Sequence, residues 1–317
     1  MQELKRTNPT RATSSESQYS IMEFMREYPD DATCLEWLWR NRYSPDGTNA
    51  YCPKCEQERP FKRYVTCQQR QSWTCTACGN HIHPTAGTIF HKSSTSLHLW
   101  FYAMYLMTST RCGISAKQLE RELGVTYKTA WRIAKEIRQT LMVQTDEKLG
   151  KNGTVEMDET YIGGKAEFMH LAKRKRLGGR GTAGKQAVFG AVERKGKVLA
   201  LTVPNTDGAT LLPHVTQHLI PAAKVYTDEM GAYKTLNERG FKHEKINHME
   251  KVYVSGDVHT NTIEGFWSLV KRGIGGVYHN VSAKHLQGYL NEYSWRYNHR
   301  NEGRIMFETL LLRAVSR

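Results

Sequence analysis

No stretch of this 317-residue chain approaches the roughly 18 consecutive apolar residues of a membrane span. The most apolar one, Leu97–Met107 (LHLWFYAMYLM), is too short and reads as a buried helix. The opening MQELKRTNPT lacks the apolar core of a secretion signal, so a cytoplasmic location is expected, with no membrane partner. Acidic residues are in short supply: Asp+Glu 31 stand against Lys+Arg 45, a net charge of +14. That imbalance points to a polyanionic partner, nucleic acid first. The cysteines are odd in number at seven, and four of the seven fall in CxxC pairs. In a chain without a signal sequence, this pattern reads as metal binding and not as disulfides.

Residues 1–18 are polar, Ser/Thr-rich and aperiodic, and read as a flexible lead-in. Residues 19–90 form the first module. Ile21, Phe24, Met25, Leu35, Trp37, Leu38 and Trp39 recur at helical intervals around a Pro-Asp-Asp break. They precede Cys52-x2-Cys55 and Cys75-x2-Cys78. Each pair makes a tight knuckle that aims two thiolates at one cation, and short strands at Phe61–Thr66 and Ser72–Thr74 bring the knuckles together. Four thiolates suit a structural Zn2+ in a zinc ribbon. Cys34, Cys67 and Cys112 are assigned no role, single cysteines being usually small buried side chains, and His81 and His83 read as surface or DNA-proximal histidines.

Residues 91–148 read as all helical. In ISAKQLERELGVTYKTAWRIAKEIRQTL, Ala116, Leu119 and Leu123 face inward from one helix, Gly124-Val125 turns, and Thr126 caps a second. Ala130, Ile133, Ala134 and Ile137 point inward from that second helix. Its expected outer side carries Tyr127, Lys128, Thr129, Arg132, Lys135 and Arg138. The pattern is a helix-turn-helix with a recognition helix suited to DNA; the plainer reading is a helical hairpin with a solvated basic face.

The catalytic candidates lie in residues 149–305, with 306–317 left as a tail. VEMDETYIGG (Val155–Gly164) reads as a strand closed by a Gly-Gly turn, with Glu156, Asp158 and Thr160 on one face. Alone, Asp158 fits an edge-strand acid facing water. A flexible basic loop follows, with Lys173, Arg174, Lys175, Arg176, Arg180 and Lys185 unbroken by any acid. Such runs are usually solvated, but beside a metal site they suit a phosphate backbone. Strands at Ala187–Glu193 and Lys197–Val203, a helix at about 208–219, a strand at Lys224–Asp228, a helix at Gly231–Arg239 and a strand at His243–Asn247 complete a ribonuclease-H-like succession. It puts Asp158 in the first strand and Asp228 at the end of the fourth. Thr260 is expected to cap a helix whose stripe is Ile263, Phe266, Trp267 and Val270, with Asn261 and Glu264 one turn apart on another face. Glu264 alone fits a helix-surface glutamate. Together the three acids suit two Mg2+ or Mn2+ ions, with Lys271 and Arg272 steadying phosphate charge. A Gly turn then leads to a helix from about Ser282 to Arg300, on which Lys284, His285, Arg296, His299 and Arg300 are expected to face DNA.

Taken together, the paired-CxxC ribbon, ISAKQLERELGVTYKTAWRIAKEIR, VEMDETYIGGK, VYTDEMGAY and HTNTIEGFWSLVKR…GVYHNVSAKHL resemble the ISXO-type, zinc-ribbon-bearing DDE transposases of bacterial insertion sequences. The resemblance runs from about residue 20 to residue 300. It implies a multidomain α+β chain: a zinc ribbon, a helix-turn-helix region and a C-terminal RNase-H-like catalytic domain. The implied activity is cutting transposon ends and joining the 3′-hydroxyl to target DNA. Its acidic triad falls on Asp158, Asp228 and Glu264, and its asparagine on Asn261. The implied partners are terminal inverted repeats, target DNA and a second copy of the chain, as a homodimer or larger assembly associated with the nucleoid. Two other readings stand beside it: a DNA-binding regulator with an inert C-terminal domain, and an RNase-H-like nuclease that cuts without joining.

Overall fold

The computed structural model describes residues 19–65, 71–110, 112–144, 147–151, 153–164, 170–172, 175, 182, 184–228, 231–246, 259–302 and 304–315. The expected lead-in at 1–18, and Cys67, lie outside these residues. The chain divides into two compact units: Met1–Arg111 with Ala116–Leu141 and Asn301–Arg317, and Cys112–Ser115 with Met142–Arg300. The ribbon and helix-turn-helix segments, expected as separate domains, therefore share the first unit. No described helix is long and apolar enough to cross a membrane.

In the first unit, α1 (Ile21–Glu27) begins with a reciprocal cap: Ser20 accepts from the Glu23 amide and Glu23 from the Ser20 amide. Helix α2 (Asp31–Arg42) is capped by Asp30. Four antiparallel strands follow in sequential order: β1 (Asn49–Cys52), β2 (Gln57–Val65), β3 (Gln71–Cys75) and β4 (His81–Ile82). They are fastened to α2 by Trp39, which stacks on Trp73 at 4.8 Å between ring centroids. Helix α3 (Leu97–Ser109) is the apolar stretch noted in the sequence, and seven of its thirteen residues are buried. Helices α4 (Ala116–Leu123) and α5 (Tyr127–Glu136) bury Leu119, Leu123, Ala130, Ile133 and Ala134 against one another and α3. Gly124 turns between them at φ +63°, a left-handed conformation that favours glycine.

The segment expected as a tail is a helix, α9 (Arg304–Val315), with Phe307, Leu310, Leu311 and Ala314 buried. Phe307 packs on Tyr19, Phe24, Tyr28 and Tyr105, so the last helix closes an aromatic core begun by the first. Apolar spacing near the chain's end therefore marked packing and not a frayed terminus.

The second unit is a five-stranded sheet in the order β7-β6-β5-β8-β9. Its strands are β5 (Val155–Ile162), β6 (Gln186–Glu193), β7 (Val198–Val203), β8 (Lys224–Thr227) and β9 (Lys242–Lys245). The first three pair antiparallel; β8 runs parallel to β5, and β9 parallel to β8. One face carries Val155, Met157 and Phe189 against Leu211 and Val215 of α6 (Gly208–His218). The other carries Val188 and Val192 against Ile263, Phe266 and Trp267 of α7 (Asn261–Gly273) and Leu286, Leu290 and Tyr293 of α8 (Ala283–Asn298). The expected helix at Gly231–Arg239 is a 3-10 turn, Gly231–Tyr233, followed by hydrogen-bonded turns, which bury Tyr233 and Leu236 without a continuous helix. The expected Gly turn is a π-helical segment, Ile274–Tyr278.

Strand β7 is an edge, and α8 covers it with amides. Gln287 accepts from the Thr202 N–H (2.8 Å) and donates to the Ala200 carbonyl (3.1 Å), while Asn298 accepts from the Val198 N–H (2.7 Å) and donates to its carbonyl (3.0 Å). Backbone groups that would otherwise invite another strand are thereby satisfied. On the same helix, Arg296 is buried against Glu292 at 2.8 Å, so it does not face DNA as expected.

Candidate active site

The parallel register of β5 and β8 sets the site. Val155 lies opposite Val225 and Glu156 opposite Tyr226, an offset of 225 − 155 = 70 residues. The same offset carries Asp158 to Asp228, which stands one residue past the end of β8. Neighbouring strands lie about 4.8 Å apart, so the two carboxylates start from adjacent positions on the sheet. Asp158 is half-buried in the middle of β5, on the face that meets α7.

Helix α7 supplies Glu264 and can come this close because of a glycine. Gly190 is the register partner of Asp158 on β6. A Cβ there would lie 2.6 Å from Trp267 Cη2 and 3.1 Å from Ile263 Cδ1, so the bare backbone is what admits the indole. Glu264 projects from the exposed side of the first turn and accepts from the Thr260 hydroxyl at 3.0 Å. Asn261 opens the helix one turn earlier, exposed, and Lys271 and Arg272 are exposed in its last turn.

The electrostatics register this crowding. The Asp158 carboxyl is pushed up to about 6, first by burial and then by the charges of Asp228 and Glu264. The backbone N–H of Glu159 and the Trp267 side chain work the other way, although Trp267 Nε1 has no acceptor in hydrogen-bonding geometry. Glu159 is pushed up further, to about 9, by burial and by Asp158 and Asp228, and its Oε1 is buried without a partner. Asp158, with the charges of Asp228 and Glu264 close by, belongs to an all-oxygen set that suits a hard divalent cation. Its members are more spread than a single-ion cage: among the described residues, only the four cysteines form a group of three or more such side chains in mutual metal-binding proximity.

One residue that the sequence reading passed over dominates the local structure. Glu156 is fully buried and its two oxygens take four hydrogen bonds: from Arg194 Nε (2.6 Å), Thr262 Oγ1 (2.8 Å) and the backbone amides of Thr262 (2.8 Å) and Ile263 (3.1 Å). Thr260, the expected cap, makes no capping bond; Glu156 takes that place from 106 residues away. The signal was a second acid on the same strand face as Asp158.

The four cysteine sulfurs lie within 4.8 Å of one another, with Cys52–Cys78 at 3.5 Å and Cys55–Cys75 at 3.9 Å. A tetrahedral Zn–S bond of about 2.3 Å implies sulfur separations near 3.8 Å, so the cluster fits zinc. Each knuckle closes with a backbone bond, Glu56 N–H to Cys52 and Gly79 N–H to Cys75, and both Glu56 and Gly79 adopt positive φ. Burial raises the Cys75 thiol, but backbone N–H groups of Cys78 and Ala77 outweigh it and bring it to about 7, whereas Cys55 is pushed up to about 12 by its hydrogen bond to Cys78 and by burial.

The basic residues separate by environment. Lys128 is exposed at the start of α5, with Thr129 and Lys135 half-buried beside it. Arg132 does not simply face outward: its guanidinium lies over Trp100 and donates to Thr95 at 3.1 Å. Arg138, expected outward, is buried, because the chain widens into a π turn at Ile137–Leu141 and shifts the helical face. Lys175 is exposed; Lys173, Arg174, Arg176 and Arg180 lie outside the described residues.

Residues 151–298 match the family model described as an ISXO2-like transposase domain. A protein of Halobacterium salinarum, described as an uncharacterized protein in transposable element ISH50, is 30% identical over 290 residues, 87% of this chain and 93% of the relative. The chain belongs to the ISXO-type family of insertion-sequence transposases. An uncharacterized transposase-like protein of Haemophilus influenzae is 35% identical over 104 residues, 33% of this chain and 83% of that protein. A crystal structure of a pre-cleavage Mos1 transpososome aligns over 68% of this chain and 78% of its own at 12% identity, with a TM-score of 0.26, too low to inform the fold. Membership in the family implies DNA binding and use of a divalent metal.

Proposed function

We propose that this transposase cuts the ends of its insertion sequence and joins the freed 3′-hydroxyl to target DNA. The observation that carries the reading is the 70-residue register offset that sets Asp228 beside Asp158, with Glu264 brought over them by α7. The sheet order, third-second-first-fourth-fifth along the second unit, supports an RNase-H-like catalytic domain. Asp158, Asp228 and Glu264 would hold two divalent ions, Mg2+ or Mn2+. Such ions, when bound, supply an activated attacking oxygen and stabilise the leaving one. Asn261, exposed one turn before Glu264, is placed to orient a phosphate or an ion-bound ligand. Lys271 and Arg272 offset the charge of the DNA backbone.

In the first unit, α4 and α5 act as a helix-turn-helix with Lys128, Thr129 and Lys135 toward DNA, and Arg132 sets the helix through Trp100 and Thr95. The four cysteines hold a structural Zn2+. The basic residues Lys173, Arg174, Lys175, Arg176 and Arg180 add phosphate contacts. The functional form is a homodimer or larger assembly on paired ends.

The test uses purified protein, Mg2+ or Mn2+, and DNA carrying the element's own ends. Metal-dependent nicks and joined products are expected, lost in Asp158→Ala, Asp228→Ala and Glu264→Ala with end binding retained. Normal cutting by any of these variants refutes the triad. Nicks without joining leave a nuclease, and binding without cutting in either metal leaves a regulator.

A further inference from the structure

We infer that Glu156 is a positioning residue, tying the helix that carries Glu264 to the strand that carries Asp158 and so fixing the metal-binding geometry. The inference rests on the triad reading above. Its physical basis is the placement of a fully buried anion two residues before Asp158 on the same strand face.

Four donors meet that anion, and they come from two directions. Thr262 and Ile263 give their backbone N–H groups, two of the unpaired amides at the start of any helix, and Thr262 adds its hydroxyl. The negative charge also sits at the positive end of the helix dipole. Arg194, just past the end of β6, gives its Nε to Glu156 and a terminal nitrogen to the His259 carbonyl at 2.9 Å. Both the first turn of α7 and the residue that leads into it are thereby held to β5. His259 Nδ1 stands 3.3 Å from Glu156 Oε1.

A helix needs no such device merely to begin. A serine, threonine or aspartate at the cap satisfies the same amides locally, without burying an ion pair whose desolvation offsets much of its attraction. Thr260 occupies the cap position and makes no capping bond; its hydroxyl goes to Glu264 instead. What a carboxylate 106 residues away adds is register between strand and helix. Residues that orient metal ligands from behind typically change metal affinity by roughly 10–100-fold when replaced.

The experiment measures Mn2+ binding to the full chain by electron paramagnetic resonance, beside amide exchange of the peptide spanning 259–266. Glu156→Gln is expected to weaken Mn2+ binding roughly 10-fold or more and to speed exchange at Thr262 and Ile263. Thr262→Val, which removes one donor and introduces no charge, is expected to shift both in the same direction by less. Glu292→Gln is the control: it disrupts a buried ion pair elsewhere in the unit and is expected to lower the melting temperature without changing Mn2+ affinity. If Glu292→Gln weakens Mn2+ as much as Glu156→Gln does, the effect is general destabilisation and the inference fails. If Asp158→Ala leaves Mn2+ binding intact, the triad reading fails first. If Asp158→Ala abolishes binding while Glu156→Gln and Thr262→Val stay within about twofold of wild type, positioning by Glu156 is overturned. Should Glu156→Gln not fold, Thr262→Val decides by the same criterion.

Discussion

The approach of α7 to the sheet depends on a missing side chain, and Gly190→Ala tests that dependence. The added Cβ would fall 2.6 Å from Trp267 Cη2, where carbon atoms ordinarily stay about 3.5–4.0 Å apart. The indole must retreat by about 1 Å or the helix must move with it. Overpacking of this kind costs about 1–3 kcal/mol. For a unit of this size that lowers the melting temperature by roughly 2–12 °C, at about 2–4 °C per kcal/mol. The functional effect is expected to be larger, because Glu264 rides on the same helix, and a displacement near 1 Å at a reacting centre can cost about 100-fold. The assay is a double-mutant cycle with Trp267→Phe, which removes the outer ring atoms that the new Cβ would strike. Each single variant is expected to lose stability and end cleavage. The double variant is expected to recover part of the Gly190→Ala loss, with a favourable coupling of about 0.5–3 kcal/mol. Strict additivity, or wild-type cleavage by Gly190→Ala, would show that Trp267 does not set the helix and refute the packing argument.

Glu159 offers a pH test of the crowded site. Its folded pKa, about 9, lies above the ordinary 4.5, so the native state holds an extra proton between those values and loses stability as pH rises through them. Glu159→Gln removes that slope, and the metal-free variant is expected to gain on wild type from pH 5 toward pH 9, on the order of 3 kcal/mol at pH 7; parallel stability curves would contradict this. Zinc removal by a chelator, or Cys55→Ser, is expected to loosen the ribbon and change the fluorescence of the stacked Trp39 and Trp73; an unchanged spectrum and melting curve would remove the structural role of the metal. Lys128→Ala is expected to reduce the salt slope of DNA binding by about 1, whereas Arg132→Ala lowers stability through Trp100 and Thr95; a salt slope unmoved by Lys128→Ala places that residue off the phosphate backbone.

What the sequence determined by itself was the local chemistry. Cysteine spacing carried the ribbon because each CxxC knuckle is built from adjacent residues. Strand period placed Glu156 and Asp158 on one face, and the apolar stripe of Ile263, Phe266, Trp267 and Val270 placed Glu264 on the other side of its helix. What only the tertiary structure decided was what stands opposite each side chain. Period two says that Glu156 and Asp158 share a face; it cannot say that one meets a helix N-terminus and Arg194 while the other meets Asp228. Thr260 reads as a cap because capping is a local rule, and the rule loses here to a buried carboxylate that supplies more bonds. Arg132, Arg138 and Arg296 read as outward cations facing DNA, yet Trp100, a π turn and Glu292 draw them inward. The helix at Arg304–Val315 reads as a tail because its partners, Tyr19, Phe24, Tyr28 and Tyr105, lie some 200 or more residues earlier in the chain. Local periodicity fixes which face of an element is apolar or charged; only long-range packing chooses the partner, because that choice depends on contacts no sequence window contains.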